Sequence, residues 1–129
     1  MKRFELLVLL VALLFGSLSG VQAATYYVDQ KSTSPQSAQD GSDRRPFGTF
    51  APALAIAKAG DTVLVRPGVY TDPIVLTRSG TKLAPITLQA TRRHGVTVSG
   101  ATELLQSDPG ISFITVRGIV FHDTRLDLY

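Results

Sequence analysis

The feature that most constrains the fold is a series of short apolar–polar alternations that begins after Gly60 and continues to Phe121. Turn-forming Gly and Pro residues separate the runs, which excludes a helix across this part of the chain. Alternation with a period of two is typical of strands that bury one face. The pattern predicts short strands at Val63/Val65, Ile74/Leu76, Ile86/Leu88, Val96/Val98, Ile114/Val116 and Ile119/Phe121.

Alternate runs recur at a nearly constant spacing. In one series, 23 residues separate Val63 from Ile86 and 28 separate Ile86 from Ile114, while the steps of the other series are 22 and 23 residues. The longer step contains residues 105–110, which we interpret as an inserted loop. Such a repeat, with two or three strands per turn, is what the coils of a parallel β-helix require. A β-sandwich, which also has short strands at regular intervals, is the alternative.

Aligning the coils in this register predicts which side chains stack on one another. The apolar residues of the runs would face inward, and polar residues between them would form outward columns. One predicted outward column is Arg66, Gln89 and Arg117, and the other is Thr77, Ser99 and His122.

Residues 49–59 predict the one helix outside the N-terminal segment. Thr49 suits the N-cap, Pro52 falls in the first turn, and Gly60 follows the end of the helix. We expect the helix to cover the first coil, because an open β-helix end exposes unpaired strand groups. Its apolar stripe is Phe50, Leu54 and Ala57.

The N-terminus has the order of features found in a secretory signal peptide. A basic start at residues 1–3 precedes an apolar run at 6–15, and residues 21–23 fit a small-residue cleavage site. We therefore predict cleavage after Ala23 and a secreted or periplasmic location. A membrane anchor is the alternative, but ten apolar residues fall well short of the roughly 20 needed to span a bilayer. We expect no membrane contact after cleavage.

Composition excludes several classes of function. The chain of 129 residues contains no Cys, which excludes disulfides, thiolate metal sites and a cysteine nucleophile. Its 13 basic and 10 acidic side chains give a net charge of +3, too small to indicate nucleic-acid binding.

Several segments resemble the N-terminal cap and first coils of secreted right-handed parallel β-helix proteins, such as polysaccharide lyase family nine and pectate-lyase-like proteins. These segments are Tyr26-Tyr27-Val28, Asp40-Gly41-Ser42, Pro46-Phe47, Ala59 to Val65, Pro67-Gly68-Val69-Tyr70, Ser79-Gly80-Thr81 and Ala84 to Ala90. The resemblance implies an all-β solenoid, a right-handed parallel β-helix segment with an N-terminal capping α-helix. We expect 24–129 to be the cap and first coils of a longer β-helix, incomplete at its C-terminus.

The resemblance also implies an activity. Relatives of this kind are polysaccharide lyases acting on uronate-containing polysaccharides, with a catalytic base and, in a full-length relative, a calcium-binding aspartate cluster in later coils. No position here matches either feature, so catalytic residues stay unknown, no metal site is assigned, and the chain alone is expected to be inactive. The alternative is a non-enzymatic β-helix that binds glycans or a protein partner.

Arg66, Gln89 and Arg117 are the predicted substrate-binding residues, because arginine guanidinium groups suit the carboxylates of an anionic polysaccharide. Other polar positions are interpreted structurally. Leu126 and Leu128 suggest a further strand, so we expect the open C-terminal coil to dock against further coils or a partner. The positions interpreted as solvated turns or unpaired groups are Asp40 with Asp43, Asp61, Arg92-Arg93-His94, and His122 beside Asp123.

Overall fold

The computed structural model describes residues 22–100 and 103–122. The predicted signal peptide up to residue 21, Asp123 and the predicted continuation at Leu126 and Leu128 lie outside the described residues. None of the described helices has the length and apolar character needed to cross a membrane. The elements in chain order are β1 (Thr25–Val28), a 3-10 turn (Gln36–Ala38), α1 (Phe50–Ile56), β2 (Thr62–Val65), β3 (Gly68–Tyr70), β4 (Ile74–Leu76), β5 (Ile86–Ala90), β6 (Val96–Val98), β7 (Leu105–Ser107), β8 (Ile114–Arg117) and β9 (Ile119–Phe121).

The described strands form three sheets, and all of their pairings are parallel. The orders are β1-β2-β5-β8, β3-β6-β9 and β4-β7. After β1, two passes of the chain (β2-β3-β4 and β5-β6-β7) each add one strand to every sheet, and β8 and β9 then extend the first two sheets. Neighbouring strands of one sheet are parallel, and from β2 onward the chain between them contributes strands to the other two sheets, which is compatible with a β-helix. They are not the antiparallel pairs of a sandwich, so that alternative is wrong for the described residues.

The register between β2 and β5 differs from the predicted one by two residues, whereas the predicted pairings of Ile86 with Ile114 and of Val96 with Ile119 are confirmed. Val63 lies opposite Leu88, not Ile86, and Ile86 lies opposite Ile114. The step between the first two passes is therefore 25 residues. A shift of two residues keeps each side chain on the same face of its strand, which is why the apolar pattern did not reveal the error.

The assignment of strands to sheets also needs correction. β6 pairs with β3, not with Ile74–Leu76, and β4 pairs with β7, which occupies part of the predicted inserted loop at 105–110. Strand β3 was missed because it contributes a single large buried residue, Tyr70, and begins with a glycine. Each complete pass thus contains three strands.

The core lies between the three sheets and is closed on one side by α1. The inward residues of β2, β4, β5 and β6 are buried, whereas those of β8 and β9 are half-buried against the same core. Tyr70 and Phe50 are its largest fully buried side chains, and their ring centroids are 4.9 Å apart. Burial of side chains of this size contributes on the order of 2 kcal/mol each.

Helix α1 starts where predicted but is shorter. Thr49 is the N-cap residue, yet its side chain makes no capping bond. The backbone N–H of Phe50 donates instead to Asp72 Oδ2 at 2.9 Å. The helix ends at Ile56 rather than near residue 59, because Ala57 is already extended. Phe50 and Leu54 are buried, and α1 packs against β1 and β4.

Candidate functional site

Two of the three predicted substrate-binding residues lie side by side. Gln89 on β5 and Arg117 on β8 are register partners on the outward face of the four-stranded sheet. The next residues in this outward column are Leu64 on β2 and Tyr27 on β1. Arg66 is therefore not in the column: it follows the end of β2, where the backbone N–H of Thr91 donates to Val65 O at 2.8 Å.

Arg66 is engaged by the long polar loop between β1 and α1. Its guanidinium donates to Asp29 Oδ2 at 3.2 Å, to Asp43 Oδ1 at 2.6 Å and to the backbone oxygen of Asp43 at 2.9 Å, and it lies 5.6 Å from the centre of the Tyr27 ring. Partial burial opposes its charge, but the hydrogen bonds to Asp29 and Asp43 outweigh burial and raise the pKa of Arg66. These contacts give Arg66 a role in anchoring the loop.

A cleft of about 520 Å³ opens beside the Gln89–Arg117 pair. One wall is the turn between β5 and β6, in which the N–H of Gly95 donates to Arg92 O at 3.0 Å and His94 has a left-handed φ of 59°. The residues that line the cleft are Gln89, Ala90, Thr91, Arg93, His94, Arg117, Gly118 and Ile119.

Close backbone packing brings the two basic walls of the cleft together. Gly118 has a φ of 71°, and a Cβ built there would lie 3.3 Å from the Ala90 Cβ and 3.9 Å from the Arg93 Cα. This tight fit places the β8–β9 turn, and with it Arg117, against the turn that carries Arg93. Any residue other than glycine at 118 would be strained by this left-handed φ and would crowd the Ala90 Cβ.

The cleft is electropositive. Arg93, His94 and Arg117 are exposed, no carboxylate lines the cleft, and neither arginine forms an ion pair with any residue in the described ranges. Guanidinium groups bind carboxylate and sulfate oxygens through paired hydrogen bonds, and an amide such as Gln89 can bind hydroxyl groups. The arrangement suits an anionic carbohydrate.

Sequence reasoning missed Arg93 and His94 as cleft residues. It predicted an exposed turn at 92–94, and the structure confirms the exposure. The turn begins one residue after β5, so it lies at the same edge of the sheet as the end of β8. The β5–β8 register was predicted correctly, with Gln89 opposite Arg117, but it does not by itself show that the turn lines the same cleft as Arg117.

The second predicted outward column is partly correct. Ser99 and His122 follow paired strands β6 and β9. The third member at that level is Thr71 rather than Thr77, since Ser99 N donates to Tyr70 O at 2.9 Å. Thr77 instead follows β4 in the third sheet. The companion of His122 in the sequence, Asp123, is outside the described residues.

The acidic residues of the described chain act locally. Asp40 pairs with Arg45 at 2.5 Å, and hydrogen bonds from Ser42, helped by the Arg45 charge, lower the pKa of Asp40. Asp43 pairs with Arg66. Within residues 22–100 and 103–122, no group of three or more His, Asp or Glu side chains could hold a metal ion. The described carboxylates therefore do not fit the calcium site of a lyase, which needs six to eight oxygen ligands.

A second cavity, of about 470 Å³, lies between β7 and the loop that precedes β8. Its lining mixes apolar and polar residues, among them Leu76, Leu105, Glu103 and Phe113. Phe113 is half exposed and has a left-handed φ of 57°. The lining also includes Asp108, Ser107 and Ser112, and no group of three metal-binding side chains occurs among the described residues.

Two comparisons place the chain among known proteins. Residues 48–126, more than half of the chain, match the family model described as Chondroitinase B. A relative in Bacillus subtilis (strain 168), the uncharacterized protein YwoF, is 38% identical over 61 residues. That match covers 47% of this chain and only 13% of the relative, so the chain spans a small part of that protein's length. By its match to the family model, the chain belongs to the Chondroitinase B family, a family of parallel β-helix polysaccharide lyases.

Proposed function

We propose that this protein is a polysaccharide-lyase-related β-helix module that binds a uronate-containing polysaccharide in the cleft beside Gln89 and Arg117. The observation that carries the proposal is the juxtaposition of Arg117, Arg93 and His94 around one cleft that contains no carboxylate. Membership in a polysaccharide lyase family supports a carbohydrate ligand, and the charge of the cleft supports an anionic one.

The proposed architecture is a right-handed parallel β-helix with α1 as its N-terminal cap. Support comes from the exclusively parallel pairing of the described strands, the stepwise addition of one strand per sheet, and the packing of α1 on β1 and β4. The resemblance to polysaccharide lyase family nine rests only on the sequence segments of the cap and first coils. The family model that matches the chain is the one described as Chondroitinase B.

The proposed role of this chain is binding, without catalysis. Eliminative cleavage of a uronate needs a base, a cation that neutralises the substrate carboxylate, and help for the leaving oxygen. The cleft supplies cations in Arg93 and Arg117 and an imidazole in His94, but no carboxylate lines it. A calcium ion has no described ligand set here, so no step is assigned to it. Catalysis, where it occurs, belongs to further coils.

Export is part of the proposal, because uronate polymers lie outside the cytoplasm. The basic start, the apolar run at 6–15 and the small residues at 21–23 support cleavage after Ala23. A lone non-enzymatic module that docks its last coil on a protein partner is the second candidate. The exposed Phe113 beside the cavity at β7 favours it.

To test binding without cleavage, the exported protein is incubated with pectate, alginate and glycosaminoglycans, with and without Ca²⁺. Affinity electrophoresis in gels that contain each polymer measures binding, and ultraviolet absorbance measures unsaturated uronide products. We expect retardation by at least one anionic polymer, no retardation by neutral dextran, and no product. Release of product that depends on Ca²⁺ would contradict the non-catalytic role, and equal mobility in all gels would contradict the binding role.

A further inference from the structure

Near the start of the described residues, Ala24 is hydrogen-bonded to a buried carboxylate. The backbone nitrogen of Ala24 donates to Asp61 Oδ1 at 2.8 Å, and the backbone N–H of Lys58 donates to Asp61 Oδ2, also at 2.8 Å. Asp61 is the buried charged residue of the described core, with 4% of its surface exposed. The sequence predicts only a turn role for Asp61, and the proposed polysaccharide binding does not involve this residue.

Asp61 lacks a cationic partner in the described part of the chain. The ion pairs found there join Arg45 to Asp40 and Arg66 to Asp29 and Asp43. A buried carboxylate held only by neutral N–H groups gives up much of its hydration, and a cation at hydrogen-bond distance offsets that cost most effectively. A positive charge on the Ala24 nitrogen, which lies 2.8 Å from Asp61 Oδ1, would therefore stabilise the buried carboxylate.

The fold begins at the residue that the predicted cleavage would make the N-terminus. Gln22 and Ala23 are exposed, whereas Ala24 O accepts from Thr62 N at 3.0 Å and Thr25 starts the β1–β2 pairing. Hydrolysis of the Ala23–Ala24 bond would place the hydroxyl of water on the Ala23 carbonyl carbon and a hydrogen on the Ala24 nitrogen. The new amine then takes a proton from solvent and becomes an ammonium group.

We propose that cleavage after Ala23 converts the Ala24–Asp61 hydrogen bond into an ion pair between the new α-ammonium group and the buried Asp61 carboxylate, which locks the mature N-terminus onto the first coil. The proposal rests on the export proposed above, and it does not depend on polysaccharide binding. Proteolytic processing thereby becomes a stabilising modification of the cap.

The ion pair has a defined pH dependence. A carboxylate beside an amine favours the charged amine, so the α-amino pKa in the folded chain is raised above the ordinary value of about 7.7–8.0. A raised pKa contributes stability that is fully present below the unfolded-state value and is lost as pH rises through the folded-state value. The stabilisation is therefore present at neutral pH and is lost as the amine loses its proton at high pH.

The test uses the product exported from the full-length gene, with ¹³C-alanine labelling to titrate the Ala24 amine by NMR. The matched control inserts one glycine after Ala23, so that the processed chain starts one residue earlier. This insertion moves the ammonium group by about one Cα–Cα step, 3.8 Å, and leaves an ordinary Ala24 N–H to bond Asp61. Asp61→Asn removes the carboxylate as a second control.

We expect an intact mass that corresponds to a start at Ala24, and an α-amino pKa about one unit or more above the ordinary value. The glycine insertion should return the α-amino pKa to its ordinary range. It should also lower the urea midpoint at pH 6.5, and the difference in urea midpoint between the native and inserted chains should vanish above about pH 10. A start at another residue would overturn the proposal. So would equal α-amino pKa values and equal urea midpoints in the native and inserted chains.

Discussion

At the scale of single residues, Tyr70 joins the core to the loop anchor. Its side chain is 1% exposed, its hydroxyl donates to Arg66 O at 2.8 Å, and it accepts from Gln30 N at 3.3 Å. Burial, reinforced by the charges of Asp29 and Asp72, raises the pKa of Tyr70 to about 12. The phenol is therefore held neutral over a range in which an exposed tyrosine ionises.

Tyr70→Phe should lower the free energy of unfolding by about 1 kcal/mol at neutral pH, because it removes a buried hydroxyl that is hydrogen-bonded to Gln30 N, Arg66 O and Val28 O. The tyrosine's contribution is present below its unfolded pKa of about 10 and is lost as pH rises toward the folded value. The difference in free energy of unfolding between wild type and Tyr70→Phe should therefore become smaller between pH 10 and about 12. Urea titrations across this range measure it, and a difference that does not change with pH would refute the account.

At the scale of elements, the loop between β1 and α1 is held by two arginines in different settings. Arg66 is about one-third exposed and bonds Asp29 and Asp43, whereas Arg45 is 57% exposed and, among the described residues, forms its ion pair with Asp40 alone. Exposed ion pairs contribute little to the free energy of unfolding, whereas partly buried hydrogen bonds between charged groups contribute more.

Arg66→Met should therefore lower the free energy of unfolding by about 1–2 kcal/mol and accelerate proteolysis within residues 29–46. Arg45→Met is the matched control and should change stability by less than about 0.5 kcal/mol. Urea unfolding and limited proteolysis mapped by mass spectrometry report both effects. Equal losses in the two variants would show that Arg66 is not the anchor.

The elements also show what sequence can predict. The alternating residues of β2, β5, β6 and β8 and the start of α1 at Thr49 follow directly from local patterns, and the structure confirms them. Strand β3 was not recognisable, because Gly68 and the exposed Val69 carry no alternation. The end of α1 was predicted from Gly60, but the backbone leaves the helix at Ala57, before that signal.

At the scale of the whole molecule, register decides which surface residues meet. Strand polarity and the inward face could be predicted, whereas the two-residue shift between Ile86 and Leu88 could not, because both register choices bury apolar side chains. The cleft depends instead on the β5–β8 register, which was predicted correctly, together with the close packing at Gly118. Its Arg117–Gln89 pair was therefore predicted, and its Arg93–His94 wall was not.

The register can be tested directly because the chain contains no Cys. Leu64 and Gln89 are register partners on adjacent strands, so Leu64→Cys with Gln89→Cys places two Cα atoms about 4.8 Å apart, within disulfide range. Arg66→Cys with Gln89→Cys, the pair of the predicted register, lies roughly 8 Å apart. We expect rapid oxidation of the first pair only, measured by mass after alkylation. Preferential oxidation of the second pair would restore the predicted register.

The most direct test of the central claim measures binding of a uronate oligosaccharide by isothermal titration calorimetry as a function of salt. Arg117→Gln and Arg93→Gln should each weaken binding about tenfold, the loss of one charge-assisted contact. Arg78→Gln, an exposed arginine outside the cleft, should bind like wild type. The wild-type affinity should fall as salt rises, because exposed charges are screened. Equal affinity in all four proteins would contradict the assignment of the cleft as the binding site.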